Sequence, residues 1–126
     1  MILGLGTELC PAARWQHLLD RFGEKSLRRV LCDQEADYLL KGNRQRLPER
    51  AAGRWALREA FGKALGVGLD GWSWRELRFL DGRLWAEGAL ATQLASRGID
   101  HLFGSVSHDG GTAFAVVILE KIHDHD

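Results

Sequence analysis

The sequence predicts a single α+β domain over residues 1–126, with an antiparallel sheet packed on one long helix. Three observations carry that prediction. Residues 48–65 read as a continuous helix, opened by Pro48 and closed by Gly66. Residues 113–119, Ala-Phe-Ala-Val-Val-Ile-Leu, are wholly apolar, as a central buried strand is. Asp81-Gly82 and His108-Asp109-Gly110-Gly111 each separate two strand-like runs, which is hairpin spacing.

Taken in order, residues 1–7 predict a first strand from Ile2, Leu3 and Leu5. Gly4 and Gly6 within it let another backbone or a ligand come close. Pro11 suits the first turn of a helix, and Trp15, Leu18, Leu19 and Phe22 then recur at helical spacing until Gly23. Residues 26–31 read as a short helical piece. Asp33 is placed to cap a helix over 34–41 that Gly42 ends. The long helix at 48–65 would be about 27 Å long, and Gly66-Val67-Gly68 stops it. Residues 75–80 and 83–87 predict a hairpin. Residues 89–97 predict a short helix ending at Gly98. Residues 101–107 and 112–120 predict the last two strands.

Composition narrows the class. The chain has 126 residues, 45% of them hydrophobic and 27% charged, with a formal net charge of zero. That content supports a folded core and argues against disorder. A neutral chain gives no reason to expect a nucleic-acid partner. No apolar run is long enough to cross a bilayer, and no basic segment followed by an apolar one opens the chain. A cytoplasmic protein with no membrane partner is the expectation. Cys10 and Cys32 are not in a CxxC pair, and they read as free thiols in a reducing compartment.

The chemistry concentrates in Gly53-Arg54-Trp55-Ala56-Leu57-Arg58-Glu59-Ala60-Phe61-Gly62-Lys63-Ala64-Leu65-Gly66. Glu59 and Lys63 stand one turn apart on one helix face, among residues that belong in a core. The pair is a helix-surface ion pair or the polar part of a site. Glu8, after the first strand, is an exposed turn residue or a second carboxylate of that site. Two carboxylates and a lysine can hold a hard metal ion and a phosphate together. Gly4-x-Gly6 lacks the third glycine of a dinucleotide fingerprint. Arg14, Arg21, Lys25, Arg28 and Arg29 outnumber Asp20 and Glu24, and Lys41, Arg44, Arg46, Arg50 and Arg54 form a second basic run. Each run is a solvated helix face or a surface for an acidic or phosphorylated partner.

In their order and spacing, Gly4-Leu5-Gly6-Thr7-Glu8, Arg14, the segment from Gly53 to Gly66, and Ser105-Val106-Ser107-His108 resemble the holo-[acyl-carrier-protein] synthases. These are short, single-domain 4′-phosphopantetheinyl transferases. The resemblance covers about residues 1 to 120, and the chain length agrees. It implies the 4′-phosphopantetheinyl transferase fold, a trimer with sites between subunits, and Mg2+-dependent transfer. The 4′-phosphopantetheine arm of coenzyme A would pass to a serine of apo acyl carrier protein in fatty acid biosynthesis, releasing adenosine 3′,5′-bisphosphate. It places the metal on Glu8 and Glu59, with Glu59, directly or through a metal-held water, as base for the serine hydroxyl. Lys63 would meet the pyrophosphate. Arg54 and His108 would lie near the coenzyme A phosphates, with Gly66 allowing close approach. Arg14, Arg21, Lys25 and Arg28 would dock the acidic carrier, with Leu18 and Phe22 as apolar contacts or as core. A trimer would also bury Trp72, Trp74 and Trp85.

Two positions depart from the family. It usually has aspartate at the position of Glu8 and commonly lysine at that of Arg58. The added methylene bears on metal affinity, because magnesium is strict about distance. Arginine keeps the charge but cannot pass a proton. Two rival functions follow. In one the acceptor carrier belongs to a polyketide or peptide synthetase, and in the other the chain is a non-catalytic coenzyme A- and carrier-binding homologue. A third reading sets a metal site on His123, Asp124, His125 and Asp126, against a solvated tail.

Overall fold

In the computed structural model, which describes residues 1–66 and 71–123, the chain opens with strand β1 (Ile2–Pro11). Helices α1 (Ala12–Phe22), α2 (Lys25–Arg28), α3 (Asp33–Lys41) and α4 (Leu47–Leu65) follow. A hairpin of β2 (Leu77–Leu80) and β3 (Arg83–Ala86) leads to α5 (Gly88–Ser96). A second hairpin, β4 (His101–Asp109) and β5 (Thr112–Glu120), completes the fold. Val67 and Gly68 of the expected helix stop, and Asp124, His125 and Asp126 of the tail, lie outside the described residues.

The strands form two sheets rather than one. β1, β5 and β4 make an antiparallel sheet with β5 in the middle, as its apolar run predicts, and β2 pairs with β3 alone. Several boundaries move for local reasons. β1 continues to Pro11 because Cys10 and Pro11 still pair with Ala113 and Thr112. Pro11 is therefore extended and caps α1 instead of sitting in its first turn. Asp33 is the first residue of α3, and its carboxylate accepts from Arg28 (3.0 Å) and Arg75 (3.2 Å). Arg75 and Glu76 fall in a short 3-10 turn, Trp74–Glu76, closed by a capping box with Ser73. His108 and Asp109 belong to β4, and the tight turn is Gly110-Gly111, both left-handed (φ 57 and 81).

α4 carries six charged residues yet is buried or half-buried nearly all round, and it runs through the core with Ala52, Ala56, Leu57, Ala60 and Phe61 fully buried. It lies on the inner face of the three-stranded sheet. That face carries Gly4, Gly6, Glu8 and Cys10 from β1 and Ala113, Ala115, Val117 and Leu119 from β5. Small residues on both sides permit the approach. A Cβ on Gly6 would stand 2.8 Å from the Ala64 amide nitrogen and closer still to the Ala60 carbonyl oxygen. A Cβ on Gly4 would stand 3.0 Å from the Ala64 carbonyl carbon.

Trp72, Trp74 and Trp85 are half-buried within the single chain, the first two in an aromatic cluster. The Trp72 and Trp74 rings meet edge-on at 4.9 Å, Trp72 packs on Phe61 at 5.8 Å, and Trp74 packs on Trp55 at 5.5 Å. The outer face of the three-stranded sheet is different. Leu3, Leu5 and Leu9 of β1, Phe103 of β4 and Phe114 of β5 are all exposed there, around half-buried Val116 and Ile118. No helix among the described residues is long and apolar enough to cross a membrane.

Substituting Gly6→Ala should therefore lower stability by about 1–3 kcal/mol or more, as overpacking does. Gly62→Ala, whose Cβ would meet nothing nearer than Trp74 at 3.7 Å, should raise stability by about 1 kcal/mol. Urea unfolding midpoints of the two variants check both signs.

Candidate functional site

The seam between β1 and α4 also sets the polar residues. Glu8 follows Gly6 on the same face of β1, and Glu59 and Lys63 flank Ala60 and Ala64 on α4. Lys63 does not pair with Glu59 one turn back. Its ammonium crosses to Glu8 at 3.0 Å. Glu8 also accepts from the Leu9 amide at 3.1 Å. Arg14, from α1, brings its guanidinium to 3.8 Å of Glu59 and 4.0 Å of the Cys10 sulfur. Glu59 Oε1 is buried and has no hydrogen-bond partner. Gly66 ends α4 with a left-handed φ of 77, and a side chain there would meet nothing within 4 Å.

The two carboxylates are pushed apart. The Lys63 hydrogen bond, then the Leu9 amide, hold Glu8 below the usual carboxylate range. Burial, then the charge of Glu8, push Glu59 above it, while Arg14 and Lys63 pull the other way.

His108 and Arg54 lie elsewhere. The His108 ring packs on Gly53 and bonds the Glu49 carbonyl oxygen at 3.1 Å. Glu49 is ten residues before Glu59, about 15 Å along the helix. Arg54 turns inward, donating to Glu35 at 3.2 Å and to the Phe79 carbonyl oxygen. It stacks on the Phe79 and Tyr38 rings, and burial draws its pKa down. Its guanidinium is thus already engaged in the protein, and Arg50, which donates to the Leu39 carbonyl oxygen at 3.2 Å, and His108 line the small cavity there. That cavity is about 180 Å3 and is also lined by Tyr38 and Phe79.

The basic residues of α1 and α2 form a third feature. Arg21 and Lys25 are exposed, whereas Arg28 is tied to Asp33 and Asp37 at 3.0 and 2.7 Å. Beside them runs an apolar groove of about 720 Å3, walled by Trp15, Leu18, Phe22 and Val30, floored by Trp55 and edged by Arg29. Both Leu18 and Phe22 line this groove; Phe22 is exposed, whereas Leu18 is half-buried and also packs on the core.

Sequence reasoning missed Glu35, which is fully buried and bonds both Arg54 and Arg58. A signal was present, because Glu35 shares a helical face with Ala36 and Leu39. Arg58 is fully buried as well, so its charge reaches neither solvent nor a phosphate.

The seam fits a hard cation. Among the described residues no cluster of three His, Cys, Asp or Glu converges, so a closed all-protein cage is not built. Two carboxylates on elements locked together, one with an oxygen to spare, suit an ion that keeps its waters and takes substrate oxygens.

Residues 4–118 match the family model described as the 4′-phosphopantetheinyl transferase superfamily. The holo-[acyl-carrier-protein] synthase of Geotalea daltonii is 34% identical over 127 residues, 96% of this chain and 100% of that one. The crystal structure of the Neisseria meningitidis holo-[acyl-carrier-protein] synthase superposes with a TM-score of 0.85 at 30% identity, covering 96% of this chain and 100% of that one. The Helicobacter pylori enzyme, in complex with coenzyme A, gives 0.76 at 28% identity, with 92% and 99% covered. The chain belongs to the holo-[acyl-carrier-protein] synthase family, and it is a phosphopantetheinyl transferase.

The opposed pKa shifts give opposed effects on folding. Glu8 ionises more readily folded than unfolded, so its support is full at neutral pH and fades as pH falls through its lowered pKa. Glu59 holds its proton more tightly when folded, so its ionised form costs stability once pH rises past the ordinary carboxylate range. In chelator at about pH 7, Glu8→Gln should lower the thermal midpoint and Glu59→Gln should raise it, and both effects should shrink towards about pH 3. Calorimetry across that range checks the signs.

Proposed function

We propose that residues 1–126 act as one catalytic domain, moving 4′-phosphopantetheine from coenzyme A to a serine of apo acyl carrier protein. The observation that carries this reading is the meeting of Glu8, Glu59 and Lys63 at the β1–α4 seam. In the transfer, the serine oxygen forms a bond to the β-phosphorus of coenzyme A. The bond from that phosphorus to the bridging pyrophosphate oxygen breaks, and adenosine 3′,5′-bisphosphate leaves. Glu8 and Glu59 would hold Mg2+, which when bound neutralises the pyrophosphate and polarises the phosphorus.

The chain's own groups account for the rest. Glu59, directly or through a metal-held water, is the base for the serine proton. Lys63 is more than half exposed, and it can leave Glu8 to hold charge on the departing phosphate. Arg21, Lys25 and Arg29 offer a cationic edge beside an apolar groove, which suits an acidic helix of the carrier. A reducing cytoplasm agrees with two buried free thiols, Cys10 and Cys32.

The same reading includes a trimer. The exposed Leu5, Leu9, Phe103 and Phe114 make an apolar sheet face of the kind that marks an interface. The family resemblance implies active sites between subunits, in which the His108 corner of one copy and the Glu59 seam of another would serve one coenzyme A.

The decisive measurement is the intact mass of apo acyl carrier protein after incubation with this protein, coenzyme A and Mg2+. A gain of one phosphopantetheine, abolished by EDTA, is expected. Lys63→Ala should slow it roughly 100- to 1000-fold, the scale of removing one electrostatic stabiliser. No gain on fatty acid, polyketide or peptide carriers would overturn the reading. Light scattering should give a trimer, and Leu5→Glu should give a monomer with little activity.

A further inference from the structure

Arg58 and Glu35 are both fully enclosed, and nothing in the transfer chemistry uses either. Arg58 Nε donates to the Val30 carbonyl oxygen at 2.9 Å and Nη1 to the Arg54 carbonyl oxygen at 3.1 Å. Nη2 donates to Glu35 Oε1 at 2.9 Å and to the Leu77 carbonyl oxygen at 2.6 Å. Glu35 also accepts from the Phe79 amide at 3.1 Å and from Arg54 at 3.2 Å. One guanidinium thus joins α4, α3, β2 and the corner that follows α2.

That corner is the wall of the apolar groove. Val30 lines it, together with Arg28 and Arg29 immediately before. The next carbonyl, of Leu31, is held by Arg75 at 3.0 Å. On the other side of the bond network, Arg58 is the backbone neighbour of Glu59. The Arg58 to Val30 hydrogen bond therefore runs straight from the turn carrying Glu59 to the wall beside the cationic edge.

Stability alone does not account for such an arrangement. A buried ion pair is often matched or bettered by apolar residues of similar volume. What a guanidinium supplies is a planar, rigid fork that fixes several carbonyls and a carboxylate at once. We propose that Arg58, paired with Glu35, is a positioning residue that sets the carrier-docking wall of α2 at a fixed place relative to Glu59. Its subject is the acidic carrier substrate, and it acts on how the acceptor serine is presented. The inference rests on the transferase reading above. A carrier seated an ångström out of place would present its serine poorly, and misplacement on that scale can cost about 100-fold in rate.

The test is steady-state transfer by the full-length protein, with apo acyl carrier protein and coenzyme A varied separately. Coenzyme A binding is measured by calorimetry, and thermal midpoints are recorded alongside. Arg58→Lys keeps the charge facing Glu35 but cannot span the Val30 and Leu77 carbonyls together. Its KM for the carrier should rise about tenfold, the loss of one charge-assisted hydrogen bond. Its KM and affinity for coenzyme A should stay within about twofold. Glu35→Gln should shift the same constant in the same direction, and Arg58→Met, if it folds, should shift it further than lysine does. Variants that lose only thermal stability, or that raise both KM values alike, overturn the proposal while leaving the transferase reading intact. A wild-type protein that modifies no carrier overturns that reading and this proposal with it.

Discussion

The close approach of β1 to α4 is the constraint on which the rest of the molecule depends. Gly4 and Gly6 face Ala60 and Ala64 with no room for a methyl group between backbones. In a strand, alternate residues share a face, so Glu8 is carried to the same seam by the pleat. In a helix, residues three and four apart share a face, so Glu59 and Lys63 flank the alanines that make the contact. The charged groups are therefore spaced by the packing itself. Their separation cannot drift without the helix leaving the sheet.

That same contact explains why two glutamates of one site behave differently. Glu8 has an ammonium and an amide to satisfy it. Glu59 has one enclosed oxygen that is left without a hydrogen bond. Opposite pKa directions follow from these surroundings alone. A pair of carboxylates divided in this way can give one that stays charged and one that accepts a proton. Cys10, the next inward residue on β1, is buried against the same cluster, and its thiol is pushed up rather than activated.

The parts legible in the sequence are those with local signals. Pro48 and Gly66 bracket a helix, Asp81-Gly82 and Gly110-Gly111 demand left-handed turns, and residues 113–119 have no polar face to expose. Glu8, Glu59 and Lys63 were also legible as a group, because residue type and order pointed to them. The direction taken by Arg54 and Arg58 was not. On a helix buried all round, periodicity no longer separates an inner face from an outer one, so a guanidinium gives no hint of where it points. Their partner, Glu35, lies 23 residues before Arg58 and on another helix. The separation of His108 from Glu59 was hidden for a related reason. It depends on where β4 crosses α4, which no stretch of sequence encodes by itself.

The three-stranded sheet has one more consequence. Its inner face is built of glycine, alanine and cysteine because the helix lies so near, so its large apolar side chains are on the other side. Leu5, Ile118 and Phe103 stand in one row of the register, and Leu9 and Phe114 stand opposite one another in another. All the described helices are occupied elsewhere, and a chain of this length has little surface left to form a second layer. The same sheet that spaces the carboxylates thus leaves an uncovered apolar face, and His108 lies against Glu49 and Gly53, about two to three turns back along α4 from Glu59. The apolar face and the seam are two sides of one sheet, and the small inner residues that admit α4 are what send the large side chains outward.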